Sequence, residues 1–243
     1  MDPLALTSYF GSREDFPLSH LLRDLGEIAA YFREKKAELE RTVHTDILTP
    51  VDPATVIIKG EVHIGEGCEI DPFVLIEGPV WIGNRVQIRS GALIRSGCVI
   101  GDDAVLGHGI EIKNIHVARG AKIQTNSFVG DAIIGTETRV ASGAILANRR
   151  FDQAEVILDI EGQKISTGRD KFGCVIGDRT RIGANVTTSP GTIMGKECLV
   201  YSNASLAGYY PARSIVKLRQ NLEVVPRLGD DFSLRPNDFD GHR

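Results

Sequence analysis

Apolar residues recur at every sixth position from Ile58 onward: Ile64, Ile70, Ile76, Ile82, Ile88, Ile94, Ile100, Leu106 and Ile112 follow without a miss. The position two before each anchor is also apolar and mostly small, as at Val62, Cys68, Val80, Ala92 and Cys98. Alternation over three residues makes a short strand, and a corner every six residues resets it. Turn-permissive glycines follow many anchors, among them Gly65, Gly83, Gly101 and Gly107. Three such strands close a triangular coil of about 18 residues, and stacked coils pair in parallel about 4.8 Å apart. The ruler slips by one residue and resumes at Val117, Ile123 and Val129, then at Ile134, Val140 and Leu146. After an insertion it returns at Ile176 and runs to Leu206. The pattern predicts an all-β solenoid over residues 51–208, a parallel β-helix with an Ile ladder inside the prism.

Other periods hold outside the coil. In the arm formed by residues 1–50, Leu18, Leu21, Leu22, Leu25, Ile28, Ala29 and Phe32 recur at three- and four-residue spacing. That predicts an amphipathic α-helix over about 17–42, read as a cap on the first coil because solenoid ends need capping. The insertion, about 149–173, holds two alternating runs around Glu161-Gly162. It predicts a β-hairpin protruding from one corner. Residues 209–243 read as an extension, with a short helix in Ala212–Val224 followed by a loose tail.

Composition fits this core. The chain has 25 Ile and 26 Gly but only 6% aromatics, so its interior is built from mid-sized and small side chains. Cys68, Cys98, Cys174 and Cys198 all fall two before an anchor, where they serve as small buried hydrophobes. A net charge of −4 argues against a nucleic-acid partner. No run is long and apolar enough for a membrane helix, and no secretory signal is visible, so the expected location is cytoplasmic.

Candidate chemistry sits on the outward positions. Arg95 and Lys113 each follow an anchor and lie 18 residues apart, so they stack one coil above the other. A phosphate bridging them would offset their repulsion; the alternative is that both splay into solvent. Glu77 extends the same column. The six His include no short-spaced pair, so no metal is expected.

Four runs carry a family resemblance: Gly107-His108-Gly109-Ile110-Glu111-Ile112-Lys113-Asn114, Phe128-Val129-Gly130-Asp131-Ala132-Ile133-Ile134-Gly135, Ala144-Ile145-Leu146-Ala147-Asn148 and Lys171-Phe172-Gly173-Cys174-Val175-Ile176-Gly177-Asp178. In this order the chain resembles the left-handed β-helix hexapeptide-repeat acyltransferases. The likeness is to the acetyltransferase half of bifunctional N-acetylglucosamine-1-phosphate uridyltransferase and to the C-terminal domains of sugar-1-phosphate nucleotidylyltransferases. The resemblance implies left-handed winding and a homotrimer with acetyl-CoA or another acyl-CoA as co-substrate in a groove between subunits. It also implies a sugar phosphate or nucleotide sugar as acceptor, with Arg95 and Lys113 on the phosphate and Asn148 and Lys171 at substrate.

Three positions depart from the family pattern. Thr125 stands where the family carries its catalytic His, Phe128 replaces a Tyr, and Arg139 replaces a substrate-contacting Asn. A Thr hydroxyl cannot replace imidazole as a base near neutral pH. His108, about one coil before Thr125, is the first candidate for that role and His116 the second. The 56 residues before the first coil hold no Gly-rich nucleotide signature, so nucleotidyl transfer is not expected. Two functions fit. One is an acyltransferase with a relocated base; the other is an inactive sugar-phosphate-binding or regulatory β-helix partnering a separate nucleotidyltransferase.

Overall fold

The computed structural model describes residues 3–11 and 24–226. The hexapeptide ruler is the fold, a left-handed parallel β-helix of triangular section. Face 1 has nine strands, from Asp46–Ile47 to Tyr209–Tyr210. Face 2 has eight, from Ile57–Lys59 to Ser205–Leu206, and face 3 eight, from Glu69–Ile70 to Ile215–Val216. All pairings between coils are parallel, and anchors stack on anchors: Ile76 on Ile94, Ile94 on Ile112, Ile112 on Val129. These side chains, with the small residues two before them, form one continuous buried core. All four cysteines are free and buried in it; burial pushes the Cys98 thiol to about 11 and the Cys174 thiol to about 12, so neither is a nucleophile near neutral pH.

Corners need a left-handed backbone, and the sequence supplies residues that tolerate it. At the corner joining face 2 to face 1 these are Gly60, Gly97, Asn114, Asp131, Gly191 and Gly208, all with positive φ.

The N-terminal helix differs in place from its expected role. Helix α1 spans Ile28–Thr42, preceded by a 3-10 turn at Leu25–Glu27 that the Asp24 carboxylate caps; residues 17–23 of the expected helix lie outside the described residues. Helix α1 lies along face 1 and does not cap the first coil. Leu39 and Val43 pack with Val99 and Trp81, while Ile28, Tyr31 and Phe32 pack with Ile133, Val175 and Phe172. The outward column of face 1 explains this, because Val99, Ile133, Val175 and Ile193 are too apolar to face water. The first rung is instead closed by Asp46–Ile47 pairing with His63 and Ile64.

The hairpin pairs Ile157–Ile160 with Gln163–Ser166. Its inner residues Val156, Leu158, Ile160 and Ile165 are buried in the same cluster as α1, so it protrudes from the coil but folds against the helix-covered face. The expected helix at 212–224 is absent. Ile215–Val216 forms a last rung on face 3, pairing with Leu199 and Val200. The final coil is two residues short, with Tyr210 above Met194 and Val216 above Val200, and this hid it from a six-residue ruler. No helix among the described residues is long and apolar enough to cross a membrane.

Candidate active site

Arg95 directly follows the face 2 strand Leu93–Ile94, and Lys113 ends the next one, Glu111–Lys113. The Arg95 N–H donates to Ile112 O at 2.9 Å, which fixes the two side chains one strand spacing apart. The charges are not bare: Arg95 Nη1 donates to Glu111 Oε1 at 2.8 Å. Glu77, next in the column, is drawn to Lys59 at 3.5 Å. Both pairs are solvent-exposed and contribute little to stability. An arriving anion would share Arg95 with Glu111 and find Lys113 unpaired among the described residues.

Just beyond Lys113 the chain turns the corner to face 1, and here sequence reasoning missed a buried network. Asp131 is 1% exposed. Its Oδ1 accepts from Asn114 Nδ2 at 2.6 Å and from Arg169 Nη2 at 2.9 Å, and its Oδ2 accepts from Asn148 Nδ2 at 2.6 Å. Its N–H donates to Lys113 O at 2.9 Å. A carboxylate only accepts, so it fixes the Asn148 amide with Nδ2 inward and Oδ1 left as an acceptor. Gly130 makes room for this: a Cβ there would lie 2.5 Å from Asn148 Nδ2. Arg169, from the end of the insertion, also donates from Nε to Lys171 O at 3.0 Å. Lys113, Asn148 and Lys171 are thus all tied to Asp131, directly or through Arg169.

Helix α1 sends Lys35 into the same region. Its Nζ is fully buried, donates to Gly97 O at 2.8 Å and lies 5.1 Å from the Phe32 ring centroid, which the Arg169 guanidinium also approaches at 5.4 Å. Burial lowers the Lys35 ammonium to about 7, with Arg169 adding to the fall and Cys98 and Asp131 opposing it. One signal was legible. Lys35 stands between Phe32 and Leu39 at three- and four-residue spacing, on the buried stripe of α1, where a lysine is rarely placed without a partner.

The two candidate bases lie in different surroundings. His108 is exposed at the corner joining face 3 to face 2, with Nδ1 3.0 Å from the Ser90 hydroxyl. Its carbonyl accepts from Asn126 N–H at 2.8 Å, which sets Thr125 and Asn126 directly above it. His116, the second candidate, lies instead in the packing between α1 and face 1. It is fully buried under α1, its Nδ1 2.5 Å from the Tyr31 hydroxyl. Burial, then the Lys35 charge, hold it well below the usual imidazole range.

The chain does not bring the candidate residues into a single site. Lys113, Asn148 and Lys171 gather at one edge of face 2, and His108 and Thr125 at the other. Five residues of extended chain, roughly 16 Å, separate His108 from Lys113. Phe128 is half-buried between them, beside Glu111 and Ile145. Arg139 lies on face 3, exposed. Above Asn148 on face 2, an open groove of about 530 Å³ is lined by Ala147, Arg149, Phe151, Thr187, Ser189 and Pro190, among others; Phe151 is fully exposed.

Residues 76–169 match the family model described as GMPPB C-terminal domain. A bifunctional sugar-1-phosphate nucleotidylyltransferase/acetyltransferase from Sulfurisphaera tokodaii is 35% identical over 181 residues, 74% of this chain and 45% of that protein. The bifunctional protein GlmU of Methanococcus aeolicus is 33% identical over 184 residues, 76% of this chain and 44% of its own. The chain is a left-handed β-helix of hexapeptide repeats, similar in sequence to these proteins along its coil. This hexapeptide-repeat protein spans less than half the length of those curated relatives. A solved UDP-N-acetylglucosamine acyltransferase from Campylobacter jejuni aligns with a TM-score of 0.41 at 19% identity, over 66% of this chain and 68% of that one. The matched segment takes in Arg95, His108, Lys113, Thr125, Asp131, Asn148 and Arg169, so both edges of face 2 belong to the part shared with that family.

Proposed function

We propose that this protein is a cytoplasmic, homotrimeric acyltransferase that moves an acyl group, acetyl in the simplest case, from coenzyme A to a sugar phosphate or nucleotide sugar. The observation that carries this reading is the edge of face 2 where Lys113, Asn148 and Lys171 are organised by Asp131, with Arg95 one strand below. Lys113 and Arg95 would hold the phosphate. Asn148 Oδ1 would accept from the reacting amine or hydroxyl. When the Ser90 oxygen accepts from the Nδ1–H of His108, Nε2 carries the lone pair and can take the proton as the acceptor attacks the thioester carbon. The thiol of coenzyme A leaves, and a backbone N–H stabilises the oxyanion. Because one protomer separates His108 from Lys113 by the width of a face, the complete site is read as lying between two copies, His108 of one facing Lys113 of the next.

Thiol release from acetyl-CoA with glucosamine 1-phosphate tests this. His108→Ala is expected to lower turnover about 10²–10⁴-fold, the range of a lost general base, and His116→Ala to act through stability alone. No turnover across a panel of sugar phosphates, or turnover indifferent to His108→Ala, refutes the reading. A second reading is favoured by Thr125, which stands where the resemblance places a catalytic His. In it the chain is an inactive sugar-phosphate-binding or regulatory β-helix that partners a separate nucleotidyltransferase. Thermal stabilisation by a sugar phosphate, with none by any acyl-CoA, would select it.

A further inference from the structure

Along most stacked columns on the surface of this β-helix the sign alternates or a carboxylate lies beside the cation, Lys113 above Arg95 in the candidate site being the exception on face 2. Arg85 pairs with Asp103, and Glu197 lies between Arg179 and Arg213. Lys59 faces Glu77, Arg89 approaches both Glu69 and Asp71, and Arg95 is held by Glu111. Face 3 departs from that pattern once. Lys122 pairs in register with Arg139, and Arg139 with Arg181, so three exposed cationic residues stack on consecutive coils whose strands lie about 4.8 Å apart. None has a carboxylate partner among the described residues. Arg181 is steadied by the carbonyls of Glu137 and Thr180, at 2.6 and 3.2 Å, which leaves its charge uncompensated. Like charges on neighbouring rungs repel one another.

The surroundings limit what could relieve that repulsion. Two residues further along each strand, the outward positions are Gly107, Gln124, Ala141 and Gly183, a strip of small residues except at Gln124. The ladder stops at Val105 on one side and Leu199 on the other, so it is three rungs long, too short for a polynucleotide on a chain whose net charge is −4. Guanidinium forks match phosphate oxygens in pairs, and two linked phosphates present oxygens to three rungs where one phosphate reaches two.

We propose that Lys122, Arg139 and Arg181 form a binding site for a diphosphate group, as carried by a nucleotide sugar or by coenzyme A. Gly107 and Gln124 are followed by His108 and Thr125 at the neighbouring corner, so a ligand anchored on the cations would extend toward the edge of face 2. Binding is read without turnover, so this inference stands or falls apart from acyl transfer.

Titration calorimetry of the full chain at low salt tests it, with pyrophosphate, ADP, dephospho-coenzyme A and a UDP-sugar against AMP and inorganic phosphate. The diphosphates are expected to bind at least tenfold more tightly than the monophosphates. Arg139→Glu and, separately, Lys122→Glu should weaken them at least tenfold with the melting temperature unchanged. Lys36→Glu, on the exposed side of α1, should leave binding as it was. Tighter binding of dephospho-coenzyme A or of the UDP-sugar identifies the source of the diphosphate. Absence of binding, no preference for diphosphates, or equal weakening by Lys36→Glu overturns the proposal.

Discussion

Lys35 is the residue whose environment departs furthest from its habit. A lysine on the buried stripe of a helix loses hydration that a carbonyl at 2.8 Å and a carboxylate in the same network only partly replace. The charged and titratable groups around it are Asp131 and Arg169 in the network, Cys98 beneath, and His116 with Tyr31 along the same face. Its folded-state value of about 7 lies below the ordinary lysine value of 10.5. Between those limits the unfolded chain binds a proton that the folded chain does not, so this group makes stability rise with pH there and adds no slope below about 7. Relative to Lys35→Met, the wild-type protein should gain stability from pH 7 to 10 at up to about 1.4 kcal/mol per pH unit. Urea denaturation of both proteins across that range measures it. Parallel curves would mean that Lys35 keeps its proton in the fold.

The interplay of elements is set by face 1. Its apolar outward column demands a cover, and α1, the hairpin and the described segment around Leu6, Tyr9 and Phe10 supply it. Phe32 is the joint, edge-on to Phe172 at 5.6 Å and to Tyr31 at 5.3 Å, with two cations over its ring. Phe32→Ala should cost about 3–5 kcal/mol, as large aromatic truncations in cores do, and the loss should be local. Hydrogen exchange is expected to quicken at Tyr31 and Leu158, while amides of anchors such as Ile94 and Ile112 stay protected. Uniform loss of protection would show instead that cover and coil unfold as one.

This division also explains what could be read from the sequence. Coils were legible because each anchor repeats the same local environment, so the period survives single-residue slips. The hairpin was legible from local alternation around Glu161-Gly162. Where α1 would lie was not, since that depends on side chains from coils far apart in sequence, Val99 to Ile193. The Asp131 network was hidden for the same reason: Lys35, Asn114, Asn148 and Arg169 come from a helix, two coils and an insertion. Residue types at outward positions revealed Lys113 and Asn148, but not that Asp131 orients the latter.

At the scale of the whole molecule the prism has one face already covered by its own chain and two facing solvent. Face 2 exposes a largely apolar outward column in which Ile57 and Ile145 stand 56% and 42% accessible, with Leu75, Leu93, Glu111 and Phe128 half-buried between them. Face 2 also carries half a candidate site on each edge, which is the arrangement expected when neighbouring copies around a threefold axis complete one another. The proposed shared site predicts complementation between two inactive variants. Lys113→Ala spoils one edge of face 2 and His108→Ala the other, so each pure variant should be inactive in acyl transfer. Refolded together in equal amounts, about a quarter of the interfaces should join an intact Lys113 edge to an intact His108 edge, if trimers assemble at random. Activity should recover to roughly that fraction of wild type. Sedimentation must show a single species near three times the 26.5 kDa chain mass. Recovery of nothing from a mixture that sediments as a trimer would place both edges in service of the same protomer and end the shared-site reading.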